Sequence, residues 1–204
     1  MSFEIEIKKN LPDLHVSRET YLKFNLYQDE IRKWNKAFSL VQNKTLEEFA
    51  FRHLIDSLQI IQYIPDINSK IIDIGTGAGF PGMVLAMHGY HHITLVESNS
   101  KKALFLSELS RKTNTDVKIF NVRADTISEK FDFVVSRACS SLVNLLSLMK
   151  IVSRETTQGI FHKGETHMAE IEEAKEKWKF QYDLHPSVTE SKSKIIIIRN
   201  LESK

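Results

Sequence analysis

A single cysteine, Cys139, stands in the 204 residues, so no disulfide can form within the chain. The fold must rest on its core, and the sparse cysteine fits a reducing, cytoplasmic setting. The histidines lack the Cys/His spacing of a zinc site, so no metal is expected. No apolar run reaches the ~18 residues that a membrane helix requires. The first ten positions carry Glu4 and Glu6 and no apolar stretch of signal-peptide length, so no membrane role is expected. Charge of one sign is also lacking. Lys and Arg total 28 against 26 Asp and Glu, a balance too even to announce nucleic acid. Its distribution says more. Residues 1–69 hold 9 basic and 10 acidic side chains, residues 70–150 hold 10 and 7, and residues 151–204 hold 9 and 9. The small basic surplus sits in the middle segment. An apolar content of 42% is ordinary for a soluble globular chain, and the length suits one domain with an extension.

What is there centres on residues 70–82, K-I-I-D-I-G-T-G-A-G-F-P-G. A short apolar run, a turn with glycines at 75, 77 and 79, and an apolar helical stretch follow one another. Glycine permits a sharp turn and close approach to a ligand, and a helix N-terminus adds unpaired N–H groups. A dinucleotide fingerprint would place its last glycine where Phe80 stands, and no Lys-Ser or Lys-Thr follows as in a P-loop. The pattern D-x-G-x-G-x-G, with Asp73, Gly75 and Gly77, resembles the first motif of class I methyltransferases. That resemblance implies S-adenosylmethionine as cofactor. A glycine-rich turn without a ligand is the plainer alternative. Glu97 ends the next strand about 20 residues on, where a carboxylate can accept from ribose hydroxyls. It could instead cap the helix that begins near Ser100.

Along the chain, residues 1–16 read as irregular. Ser17 can cap a helix to about Lys36. A second helix is predicted over 46–63, with Thr45 and Glu48 as a capping box and Phe51, Leu54, Ile55, Leu58 and Ile61 on its apolar arc. Arg52, His53, Asp56 and Ser57 fall on the opposite arc, which reads most simply as a solvated face. Then strands and helices alternate: strand 70–75, helix 81–89, strand 92–97, helix 100–112, strands 116–121 and 131–136, helix 140–151, strand 157–162 and helix 165–178. Residues 180–184 and 194–200 read as a closing antiparallel pair. The order predicts an α/β fold, a mainly parallel seven-stranded sheet with helices on both faces, and the resemblance of the glycine loop implies the class I, Rossmann-like methyltransferase kind. Residues 70–204 form that domain, and residues 1–69 a helical N-terminal extension packed on it.

Four stretches together carry a narrower resemblance: W-N-K-A-F at 34–38, R-H-L-I-D-S at 52–57, D-I-G-T-G-A-G-F-P-G at 73–82 and S-R-A at 136–138. The chain resembles the bacterial 16S rRNA guanine-N7 methyltransferases, the glucose-inhibited division protein B family, from about residue 20 to the last strand. The resemblance implies 16S rRNA or the small ribosomal subunit as partner, a monomer, and cofactor contacts at Gly75, Phe80, Ala124, Asp125 and Arg137. Phe80 would wall the pocket, and Ala124 and Asp125 would meet the adenine edge. Arg137 would meet the cofactor carboxylate or an RNA phosphate. A turn cap for Asp125 and a surface ion pair for Arg137 are the alternatives. The chain departs from the family at Ser39, where an Asn is usual, and at Ser140, where an Ala is usual.

Guanine N7, the acceptor implied, carries a lone pair and no proton, so no general base is required. Cys139 does not follow a proline, as a pyrimidine-attacking cysteine would, and reads as a small buried residue. Asn35, Lys36, His53 and Asp56 are the acceptor-side candidates. Lys101, Lys102, Arg111 and Lys112 could meet phosphates. A small-molecule methyltransferase and a non-catalytic cofactor- or RNA-binding module remain as other readings.

Overall fold

The computed structural model describes residues 3–137 and 140–204, so the readings placed on Ala138 and Cys139 lie outside the described residues. Seven strands form one sheet in the order β3-β2-β1-β4-β5-β7-β6. These are β1 Lys70–Ile74, β2 His92–Val96, β3 Lys118–Phe120, β4 Phe131–Arg137, β5 Ser153–Lys163, β6 Trp178–Pro186 and β7 Lys194–Ser203. The pairs among β1 to β5 are parallel, and β7 runs antiparallel to both β5 and β6. Strand 116–121 is shorter than expected, whereas β5 begins earlier, at Ser153.

Alternation along β1 sorts its side chains between two cores. Ile71 belongs to the core that holds Phe24, Met83, Leu95 and Phe105, whereas Ile72 and Ile74 pack with Leu142, Leu146 and Ile171. The period of two in a strand requires this division. The first core is covered by α2 Arg18–Asn35, α5 Gly82–His88 and α6 Ser100–Thr113, and the second by α7 Leu142–Val152 and α8 His167–Lys177. Asp73, in phase with Ile71, points under the N-terminus of α5, where its Oδ2 accepts from the Gly82 N–H at 2.8 Å.

The N-terminal region differs from its reading in two ways. Residues 3–10 form a helix, α1, which buries Ile7 in the first core. Residues 46–63 are not one helix. A four-residue α3, Asn43–Leu46, is followed by a π-helical turn Ala50–Ile55, a short α4 Asp56–Leu58 and a 3₁₀ turn Ile61–Tyr63. The capping box does not form. The Thr45 hydroxyl instead donates to the Gln42 carbonyl at 2.7 Å and meets His53. The π turn rotates the polar arc inward, so His53 and Ser57 are buried rather than solvated. Ser17 does cap α2, accepting from Thr20 N at 3.1 Å. Among the described residues no helix is long and apolar enough to cross a membrane.

The antiparallel insertion of β7 decides what reaches the ligand-bearing end. Ligands of open α/β sheets bind beyond the carboxyl ends of the strands. Because β7 starts beside the end of β5, with Lys163 opposite Lys194, the β6–β7 loop lands at that same end.

Two glycines separate steric need from backbone strain. A Cβ on Gly82 would lie 2.8 Å from Asp73 Oδ2 and press on Leu95, whereas Gly89 has φ 126° and open space around it. Gly82→Ala is expected to destabilise by about 2–3 kcal/mol through overpacking. Gly89→Ala is expected to cost only about 1 kcal/mol of backbone strain. Urea unfolding of the two variants checks the order.

Candidate active site

The glycine loop is held before any ligand arrives. Gly75, Gly77 and Gly79 adopt φ of 66°, 62° and 104°, values that side-chain-bearing residues rarely take. Val96 O accepts from the N–H groups of Gly75 and Thr76 at 3.0 and 3.2 Å. Glu97 Oε2 accepts from Gly77 N at 3.0 Å, and Oε1 from Asn99 N at 2.8 Å. From the other side the buried Tyr27 hydroxyl donates to Ala78 O at 2.5 Å. Asp73 Oδ2 takes the Thr76 hydroxyl at 2.6 Å, while its Oδ1 is buried with no partner among the described residues. Burial drives the Asp73 carboxyl up from an ordinary 3.8 to about 6, against the bonds from Thr76 and Gly82.

Beside this loop lies a cavity of about 290 Å³ lined by Gly75, Val96, Ser98, Ala124, Asp125 and Ser140, among others. It gathers three of the expected cofactor residues, and Glu97 stands between two of its lining residues. Glu97 does not cap α6; Asn99 does, accepting from Lys101 N and Lys102 N. Each Glu97 oxygen keeps a second lone pair for a ribose hydroxyl. Asp125 is exposed and paired with Arg123 at 3.0 Å in a 3₁₀ turn, Ala124–Thr126. The donor set is acidic and backbone-rich, suited to a nucleoside with an ammonium group. Phe80 is a correction. Its ring is not a pocket wall but a core side chain, stacked on Tyr27 at 5.1 Å and on His53 at 4.7 Å. Only its backbone can serve the loop.

A second cavity, about 460 Å³, lies between the π turn, the ends of β4 and β5 and the β6–β7 loop. Arg137, at the end of β4, lines this cleft rather than the first cavity. It does not form a surface pair. Its guanidinium lies 4.6 Å over the Phe80 ring, donates to Asp56 Oδ2 at 3.1 Å and to the Arg52 carbonyl at 3.1 Å, and meets His53 Nδ1 at 3.1 Å. The Arg52 carbonyl of the π turn accepts from Arg137, and the His53 carbonyl from the Asp56 N–H and the Ser57 hydroxyl. A guanidinium only donates, so His53 Nδ1 accepts and the proton sits on Nε2, facing Thr45 Oγ1 at 2.9 Å. Burial, with Arg137 beside it, lowers His53 to about 3, so it is neutral.

Asp56 is equally engaged. Its Oδ1 accepts from Thr189 Oγ1 at 2.6 Å and Gln59 Nε2 at 2.9 Å, and its carbonyl accepts from His162 Nε2 at 2.7 Å. Burial alone would raise this carboxyl, but His162, Arg137 and Thr189 outweigh it and the net shift is downward. Asn35 is also spent within the chain. It donates to Asn43 and accepts from Leu40 N and Val41 N, shaping the turn that carries the exposed Lys36 and Ser39. Arg111 and Lys112 pair with Glu108 and Glu30, so they are poor candidates for phosphate. Lys101 lies 5.0 Å over the Phe38 ring.

Sequence reasoning missed Tyr27, Gln59, His162, Lys163 and Thr189. Lys163 and His162 stand at the carboxyl end of a buried strand, a position that could have flagged them. Gln59 and Thr189 carried no local signal.

The sheet order, the glycine loop and the acid ending β2 define a class I S-adenosylmethionine-dependent methyltransferase. The chain is similar in fold to magnesium protoporphyrin IX methyltransferase of Synechocystis, at TM-score 0.61 and 10% identity over 92% of this chain and 99% of that one. It is likewise similar to a protein of Pyrococcus horikoshii, at TM-score 0.63 and 11% identity over 82% and 98%. The family model for rRNA small subunit methyltransferase G matches residues 20–201, and the chain belongs to that family. Ribosomal RNA small subunit methyltransferase G of Rickettsia rickettsii is 38% identical over 92% of this chain and 98% of its own length. The Rickettsia prowazekii protein of the same name is also 38% identical over the same shares.

Two measurements test the site's electrostatics. Between pH 3.8 and about 6 the folded chain holds a proton on Asp73 that the unfolded chain has lost. Stability therefore falls as pH rises through that window. Asp73→Asn is expected to lack this fall, which amounts to about 1–3 kcal/mol in urea unfolding of the ligand-free protein. The Arg137–Asp56 side chains are 18% and 17% exposed. Arg137→Met is expected to cost about 2–4 kcal/mol by stranding the carboxylate. Asp56→Asn added to it should recover part of that loss in a double-mutant cycle.

Proposed function

We propose that the protein transfers the methyl group of S-adenosylmethionine to N7 of one guanine in 16S rRNA, acting as a monomer in the cytoplasm on the small ribosomal subunit. One observation favours N7. The buried titratable groups of the acceptor cleft are held within the protein, and Glu190 at its rim stands 3.4 Å from Arg52. His53 is neutral with both ring nitrogens engaged, Asp56 has both oxygens engaged, and His162 keeps its Nδ1 buried within the protein. The floor of such a cleft exposes no free proton acceptor among the described residues. An exocyclic amine or a ring N–H would require one during transfer; N7 does not.

When bound, the cofactor supplies an electrophilic methyl carbon on a sulfonium. The chain's own residues hold the reactants. Glu97 would accept from the ribose, Ala124 and Asp125 would meet adenine, and the buried Asp73 Oδ1 is the acceptor that an ammonium would satisfy. The cleft would take the guanine, with Arg137 at its floor and Lys36, Arg52 and Lys101 toward the backbone phosphates. Unstacking a base costs a few kcal/mol, which these contacts must offset. In-line alignment alone can supply roughly 7–11 kcal/mol.

The test is transfer of labelled methyl to small-subunit rRNA, with the site mapped by cleavage at 7-methylguanosine. One labelled guanine is expected, with a single-turnover rate flat from about pH 7 to about pH 9 because no base titrates. Cofactor affinity should fall roughly tenfold in Glu97→Gln. Label at another atom, or a rate rising with pH as a base ionises, would overturn the N7 assignment. Label on small molecules alone would move the search away from rRNA.

A further inference from the structure

The two cavities are joined by an ion pair, buried at its lysine and 20% exposed at its carboxylate, that neither the cofactor motif nor the Arg137 cluster uses. Lys163 ends β5 and is 6% exposed. Its Nζ donates to Glu170 Oε2 on α8 at 2.7 Å and to the Ser140 carbonyl at 2.6 Å. The same Glu170 oxygen accepts from Leu142 N at 2.8 Å, at the start of α7, and Oε1 takes the Thr166 hydroxyl at 3.2 Å. Ser140 lines the cofactor cavity; Lys163 and Gly164 line the acceptor cleft. The Lys163–Ser140 hydrogen bond therefore spans the partition between the two.

An ion pair is a costly way to fasten two helices. Burying ammonium and carboxylate costs several kcal/mol per ion unless their remaining hydrogen bonds are met, and apolar packing would serve stability as well. Here the charges are aimed at backbone: a carbonyl on one side and an N–H two residues later. Both belong to residues 140–142, at the entry to α7. What this arrangement fixes is the place of that segment relative to the ends of β4 and β5.

We infer that Lys163 and Glu170 are positioning residues for methyl transfer, setting the separation of the cofactor cavity from the acceptor cleft through Ser140 and Leu142. The inference rests on transfer between the two cavities and holds whichever atom of the base accepts. In-line displacement is sensitive to that separation, and a misplacement of about 1 Å can cost on the order of 100-fold in rate. Neither side chain need touch either reactant for this role.

The test compares Lys163→Met, Lys163→Arg and Glu170→Gln with the wild-type chain by three readings: S-adenosylmethionine affinity by calorimetry, hydrogen exchange at the Leu142 amide, and single-turnover transfer to small-subunit rRNA. For Lys163→Met the expected result is cofactor affinity within about threefold, Leu142 exchange faster by about tenfold or more, and transfer slower by about 30- to 100-fold. Glu170→Gln keeps both hydrogen bonds while losing the charge, so it should lose less than about tenfold. If Lys163→Met does not fold, Lys163→Arg decides. Its fork cannot present one nitrogen to both oxygens, and it should lose about tenfold in transfer at unchanged cofactor affinity. Transfer within about threefold of wild type in a folded variant would overturn the inference, as would a cofactor affinity that falls in step with the rate. Label at an atom other than N7 would sink the acceptor assignment and leave this comparison intact. If wild type labels no rRNA, unaltered Leu142 exchange in the variants still overturns it.

Discussion

One guanidinium holds the molecule's two halves in register. Arg137 leaves the end of a central strand, lies over Phe80 of the glycine turn, and binds Asp56, His53 and the Arg52 carbonyl of the π turn. Through Asp56 the same contact reaches Thr189 and so the loop between the last two strands. A planar cation with five donors suits such a junction, since it can satisfy several acceptors in fixed directions and still rest on an aromatic face. A lysine would supply the charge without the geometry.

The π turn is the backbone's share of that arrangement. An ordinary helix over 46–63 would have directed Arg52, His53 and Asp56 to solvent and bonded their carbonyls internally. In the wider turn His53 is buried, the Arg52 carbonyl accepts from Arg137 and the His53 carbonyl from Ser57. π turns are rare and recur at functional sites. Here the irregularity closes the cleft with chemically quiet groups: a neutral imidazole and a carboxylate with no oxygen to spare.

The sheet was legible in the sequence because its signals are local. Isoleucine runs mark β1 and β7, glycines at alternate positions mark the turn, and strand–helix alternation gives the parallel order. That Gly75, Ala124 and Asp125 line one cavity was legible for the same reason, since each stands within a few residues of a strand end. The cleft was less so. Helical spacing in 46–63 points to a regular helix, and nothing in one sequence shows that Asp56 will find Thr189 across the fold or that Thr45 will serve His53 instead of a helix end. The Phe80 ring was misplaced because a glycine turn suggests an open pocket, whereas Tyr27 and His53 come from the N-terminal region to enclose it. Contacts between distant segments decide those positions, and periodicity does not carry them.

The enclosure of Phe80 bears on how the chain moves. Tyr27 belongs to the second helix, His53 to the π turn and Phe80 to the turn that follows the first strand, and all three share one buried stack. Ile7, Phe24, Phe49, Met83 and Leu95 continue it as one core without a seam. The first 69 residues therefore do not behave as an appendage that can loosen alone. Side chains of α2 and of β1 lie buried in the same core, so exposing one set uncovers the other. Solvent can reach the ring stack beneath the glycine turn only by parting these helices from the sheet, so the turn rests on packing that the first 69 residues share.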